Sequence, residues 1–104
     1  MTTRSKTFGL KSLDRRVGVL TVGEFIATWR ASEQQSLKDF GKLIGLSATN
    51  LCDIEKGRKG VSPEKAAQIA KIIGVPPRLL IRLALEEQLK AAGLKYTVEV
   101  NPAA

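Results

Sequence analysis

The segment from Ser36 to Gly57 restricts the fold of this chain more than any other part of its sequence. Ser36 is a good helix N-cap, and apolar residues follow it at helical spacing as far as Gly45, a residue suited to the left-handed conformation that ends many helices. Ser47 can then begin a second helix almost at once, and Gly57 can end it. The sequence therefore predicts two short helices separated by a tight turn.

The second of these helices is expected to have an apolar side and a polar side. Leu51 and Ile54 recur at helical spacing and should face the core. Small or polar residues occupy the opposite side: Ala48, Thr49, Asn50 and Asp53. Two helices joined by a tight turn, with a small polar face on the second, are the arrangement that helix-turn-helix proteins use to read the major groove of DNA.

Charge and composition agree with a polyanionic partner. Seventeen Lys and Arg residues against ten Asp and Glu residues give a net charge of +7 and a pI of about 9.9. Such an excess favours nucleic acid, although solubility alone could also account for it. With no histidine and the single cysteine Cys52, one chain can form neither a zinc site nor a disulfide. We therefore expect no cofactor, no metal and no enzymatic activity.

The length of 104 residues predicts one domain. We divide the chain into a basic N-terminal arm (1–20), a helix-turn-helix domain (21–93) and a C-terminal strand and tail (94–104). Arg4 and Lys6 are not followed by an apolar run long enough for a signal peptide or a membrane span, so a cytoplasmic protein is expected.

Three more helices are predicted from their start and stop signals. Thr21 and Glu24 form a capping box, and Ser62 with Pro63 begins a helix that should end at Gly74. A last helix runs from Pro77 to about Ala92. The predicted fold class is thus all-α with five helices.

The last helix carries two apolar stripes, and one small core cannot bury both. The second stripe consists of Ile81, Leu85 and Leu89. It would be an exposed patch on a monomer, and such patches usually mark interfaces, so a homodimer or another partner is predicted there. Alternatively, the N-terminal arm or the C-terminal segment covers this stripe within one chain.

Beyond Gly93 the pattern changes to alternation, with Tyr96, Val98 and Val100 on one side. This alternation predicts a short C-terminal β-strand. A strand needs a partner for its backbone groups, which could be the N-terminal arm, a second copy of the chain or a different protein.

Residues 21–75 resemble the lambda-repressor-like, or Xre/Cro-type, helix-turn-helix family. The resemblance is carried by Arg30, Phe40, Gly41, Gly45, Leu46, Ser47, Leu51, Cys52, Ile54, Glu55 and Gly57. It implies a five-helix DNA-binding domain that dimerises on palindromic operators, with a structural ion pair between Arg30 and Glu55. In two positions the chain departs from the family pattern, since Leu37 replaces a common Gln and Gly41 replaces the usual Ala.

The first turn of the second motif helix should approach the bases. Asn50 could contact the N6 and N7 atoms of an adenine, whereas Ala48 and Thr49 suit a thymine methyl group. Asp53 could accept from cytosine N4 but would repel a nearby phosphate, so it could select against other sequences or simply be exposed. Phosphate contacts are expected from residues at the two ends of this helix: Ser47, Lys56, Arg58 and Lys59. The basic cluster could instead be a solvated turn.

The predicted function is a sequence-specific transcriptional repressor that binds double-stranded DNA. The resemblance further suggests an antitoxin that represses its own operon and binds a small toxin protein. A phage or restriction-modification regulator would have the same core. A protein-interaction module that neutralises a toxin without strong operator binding is the alternative from a different class.

Overall fold

The part of the chain that the computed structural model describes, residues 20–103, folds into five α-helices. In chain order they are α1 (Val22–Ser32), α2 (Leu37–Ile44), α3 (Ala48–Glu55), α4 (Pro63–Ile73) and α5 (Pro77–Ala91). The predicted all-α fold is confirmed over these residues. The predicted basic arm, residues 1–20, lies outside the described residues except for Leu20, which is buried.

Four of the helices begin at a side-chain cap that the sequence predicts. The hydroxyl oxygens of Ser36, Ser47 and Ser62 each accept a hydrogen bond from the backbone N–H three residues later, at 3.0, 3.1 and 3.1 Å. At α1 the capping box is complete, because Thr21 Oγ1 accepts from the N–H of Glu24 while Glu24 Oε1 accepts from the N–H of Thr21. These bonds satisfy backbone donors that a helix start otherwise leaves unpaired.

All five helices contribute to one core. Its largest fully buried side chains include Phe25, Phe40, Leu51, Ile69 and Leu80, one from each helix. The core holds α3 against both α1 and α2, while α4 packs along α5. The first apolar stripe of α5 consists of Leu79, Leu80, Leu83 and Ala84; the last three are buried as predicted, whereas Leu79 is half-buried.

Two glycines allow backbones to approach closely around α3. A Cβ atom at Gly23 in α1 would overlap the carbonyl oxygen of Ile54, and one at Gly41 in α2 would overlap the carbonyl oxygen of Leu46. Both glycines are buried. Any larger residue at these positions would push the backbone of α3, or of the turn before it, away from the core.

The predicted C-terminal strand is wrong. Residues 94–103 contain neither helix nor strand, and no strand occurs among residues 20–103 that could pair with them. The N–H of Val98 instead donates to Glu86 Oε2 at 2.9 Å, so a side chain of α5 takes the place of a neighbouring strand. Tyr96 is 68% exposed, while Val98 and Val100 are half-buried. Alternation marks two sides of a segment, but a strand also needs a ladder partner.

The second stripe of α5 is not an open patch. Ile81, Leu85 and Leu89 are each half-buried. Its proposed role as an interface remains a prediction. Within residues 20–103, no helix is both long enough and apolar enough to cross a bilayer.

Candidate nucleic-acid interface

Helix α3 presents one side to the core and the other to solvent. Leu51 is completely buried and Ile54 is 7% exposed. Ala48 and Thr49 in the first turn are exposed, and Asn50 is half-buried. The oxygen of Ser47 caps the helix, yet its hydroxyl hydrogen remains able to donate to a ligand.

An ion pair fixes the C-terminal end of α3 to α1. Arg30 Nε donates to Glu55 Oε2 at 2.7 Å and Nη2 donates to Oε1 at 3.0 Å, a two-point contact. The third nitrogen, Nη1, donates to the carbonyl oxygen of Gln35 at 2.8 Å. The side chains are 22% and 9% exposed, so water screens the pair only weakly.

The contacts of Arg30 therefore join α1, the loop before α2 and the end of α3. The hydrogen bond with Glu55 raises the pKa of Arg30 above its ordinary value, which keeps the guanidinium charged. This is the pair that the family resemblance implies. Both carboxylate oxygens of Glu55 accordingly accept hydrogen bonds from Arg30.

The turn after α3 folds back along the helix. Gly57 has a φ of 80°, a left-handed conformation in which glycine is favoured over other residues. The carbonyl oxygen of Asp53 then accepts from the N–H of Arg58 at 2.8 Å and from that of Lys59 at 3.2 Å. These bonds bring the two basic side chains beside the exposed side of α3.

Each of these basic side chains pairs with a polar residue of α3. Arg58 Nε donates to Asp53 Oδ1 at 2.9 Å, with the two side chains 60% and 24% exposed. Lys59 Nζ donates to Asn50 Oδ1. The sequence predicts that Asn50 and Asp53 face bases and that Arg58 and Lys59 face phosphates, whereas in the structure these residues form two pairs across the turn.

Another basic residue, Lys65, supports the turn before α3. Lys65 of α4 donates from Nζ to the carbonyl oxygen of Ile44 at 2.9 Å, and so pairs a carbonyl at the end of α2. Local sequence signals do not reveal this role, because the two residues are 21 positions apart. The remaining lysine of the predicted phosphate contacts, Lys56, is exposed.

The resulting surface is formed by the residues from Ser47 to Asn50, Asp53 and the basic turn 56–60; we call it the α3 face. It combines a capped helix start, small side chains and a cationic border. Such a surface has the chemistry to enter the major groove and contact the flanking phosphates.

Comparison with known proteins agrees with this geometry. A family model described as a helix-turn-helix domain matches residues 21–83, which is more than half of the chain and includes the whole α3 face. No curated protein and no solved structure matches the chain.

Proposed function

This chain belongs to the helix-turn-helix domain family, and from that premise we propose that it is a sequence-specific DNA-binding transcriptional repressor. The observation that carries the proposal is the α3 face, a small polar helix surface beside a basic turn. Helices of this kind contact base edges through their N-terminal turn. Ala48 and Thr49, both exposed there, are suited to apolar contact with thymine methyl groups.

Phosphate contacts are assigned to the two ends of α3. Ser47 can donate its hydroxyl hydrogen at the first end, and Lys56 is an exposed cation at the other. Arg58 is 60% exposed despite its pairing with Asp53, so it remains accessible to a phosphate. Contacts with phosphates release counterions from the DNA, so the affinity for DNA should fall strongly as the salt concentration rises.

We assign a palindromic operator and a homodimer to the same function. A twofold dimer would place two α3 helices about 34 Å apart, which is one turn of DNA. The stripe Ile81, Leu85 and Leu89 is partly covered within the chain, and the part of these side chains that is still exposed could be buried against a second copy, which supports an interface on α5.

Titration of the chain's own promoter region at several salt concentrations tests the proposal. We expect the affinity to fall steeply as salt rises, and Lys56→Ala to reduce the slope of log affinity against log salt by about one. Lys90→Ala, which removes an exposed charge near the end of α5, serves as the matched control and should leave the slope unchanged. A salt-independent affinity, or no binding at all, would instead favour the protein-interaction module.

A role as the antitoxin of its own operon is a second proposal, supported by the C-terminal segment. Leu94 and Tyr96 are 45% and 68% exposed on residues that form no regular structure. Segments of this kind can order on a partner. Co-expression with the product of the neighbouring reading frame should give a stable complex that requires residues 94–104. If full-length and truncated chains both fail to bind that product, this second proposal is incorrect.

A further inference from the structure

The carboxamide of Asn50 has a fixed orientation in the structure. Its Oδ1 accepts a hydrogen bond from Lys59 Nζ. An ammonium group has donors only, so the amide atom that faces it must be the oxygen. The amide nitrogen is therefore the end of Asn50 that faces away from Lys59 and can donate to a base.

Two neighbouring contacts maintain this orientation. Arg58 pairs with Asp53 and so occupies the only carboxylate on the exposed side of α3. The backbone N–H groups of Arg58 and Lys59 both donate to the carbonyl oxygen of Asp53, which holds the turn beside the helix. Lys59 is thereby placed to contact Asn50 before any ligand arrives.

We propose that Lys59 and Asn50 together select a guanine, so that Lys59 determines base specificity in addition to contributing positive charge. The inference rests on the proposed function and refines it. Guanine presents two acceptors in the major groove, N7 and O6. Asn50 Nδ2 can donate to one acceptor while Lys59 Nζ donates to the other, with the bond between the two side chains intact.

An adenine at the same position is disfavoured by this pair. Its major-groove edge has an acceptor, N7, and a donor, the N6 amino group. The amino group would face the Lys59 ammonium, which is also a donor. The two-point contact between Asn50 and adenine requires Oδ1 to face N6, so the amino group and the Lys59 ammonium, both donors, would have to share that one oxygen. The structure thus changes the base that the sequence alone assigns to Asn50.

Selection from a randomised duplex DNA library tests the inference. The Asn50→Ala variant identifies the DNA position that Asn50 contacts, because the preference for one base should disappear at that position. At that position the wild-type protein should favour guanine over adenine by about ten- to a hundredfold. Lys59→Met should lose this preference and bind adenine at least as well as guanine. Lys59→Arg, which retains donors, should still select guanine.

Lys56→Met is the matched control, because it removes an exposed charge from the same turn without touching Asn50. This variant should weaken binding to all DNA sequences alike and leave the guanine preference unchanged. The inference is overturned if the wild-type protein selects another base at the position that depends on Asn50, or if Lys59→Met behaves as Lys56→Met does. Failure of the proposed function has a different signature, since the wild-type protein would then enrich no sequence at all. Melting curves for each variant establish that it is folded.

Discussion

At the scale of single residues, the charged side chains of Arg30 and Glu87 form hydrogen bonds with distant parts of the protein. Arg30 makes three hydrogen bonds that connect α1 with Glu55 and with the loop before α2. Glu87 of α5 accepts from the backbone N–H of Val22 at 2.7 Å, at the first residue of α1. Each residue therefore links α1 to a distant part of the chain.

Removal of Arg30 should be costly. The Arg30→Ala substitution leaves the Glu55 carboxylate, only 9% exposed, without its partner. We expect the free energy of unfolding to fall by about 3 to 5 kcal/mol, as measured by urea titration. Arg58→Ala provides the control, because it breaks an exposed pair and should cost no more than about 1 kcal/mol. An Arg30→Ala protein with unchanged melting temperature and DNA affinity would refute the assigned role.

Glu87 should make the stability depend on pH. Burial raises the pKa of Glu87, although the hydrogen bond from Val22 lowers it in part. The folded protein therefore binds this proton more tightly than the unfolded chain does. As the pH rises past the ordinary Glu pKa of about 4.3, the unfolded chain ionises first, so this residue's contribution to stability declines until Glu87 ionises in the folded state as well.

Glu87→Gln should remove this decline, because an amide oxygen can still accept from Val22 but does not titrate. Denaturant titrations between pH 4 and pH 7, the range that follows from ordinary carboxyl values, should show a smaller loss of stability with rising pH than in the wild-type protein. Glu64→Gln, on the exposed side of α4, is the control and should follow the wild-type curve. Identical pH profiles for the wild-type protein and Glu87→Gln would exclude the mechanism.

At the scale of elements, local signals and distant contacts differ in what the sequence reveals. The helix starts at Thr21, Ser36, Ser47 and Ser62 could be predicted because each cap involves residues only three positions apart. The strand prediction failed because alternation is local whereas pairing is not. The contact of Lys59 with Asn50 spans nine positions and a left-handed turn, so periodicity could not reveal it. The Arg30 and Glu55 pairing was accessible only through family resemblance.

In helix α2, helix propensity and packing predict opposite effects of one substitution on the stability of the fold. Propensity alone predicts that Gly41→Ala stabilises the helix by about 0.5 to 1 kcal/mol. In the structure the added Cβ would overlap the carbonyl oxygen of Leu46, a backbone atom that cannot rotate away. We therefore expect Gly41→Ala to lower the free energy of unfolding by about 1 to 3 kcal/mol. Chemical denaturation will measure this change in the free energy of unfolding. Gly60→Ala is the control, because a Cβ at Gly60 has open space around it.

At the scale of the whole molecule, the proposed homodimer would set how tightly the α3 face binds the proposed operator. One copy presents a single reading helix, and a twofold pair presents two with defined spacing. We expect light scattering to show a dimer at micromolar concentrations. Leu89→Lys, near the end of the half-buried stripe, should shift the protein toward monomer and weaken binding to a full palindrome more than to a half-site.

Leu43→Lys is the comparison variant, since Leu43 is 48% exposed on α2 and lies outside the stripe. It should remain dimeric and keep the full preference for the palindrome. If Leu89→Lys leaves the molecular mass and this preference unaltered, the dimer interface lies elsewhere.

The close approach of Gly23 to Ile54 also has an evolutionary consequence. The backbone of α1 lies directly against the last turn of α3, so a tilt of α3 toward α1 would bring backbone atoms into collision. Under the proposed function, we therefore expect new binding preferences to arise more readily by exchange of outward side chains than by movement of α3. Positions 48 and 49, which are exposed, are where such exchanges would disturb folding least, and they are the natural starting points for redesigned specificity.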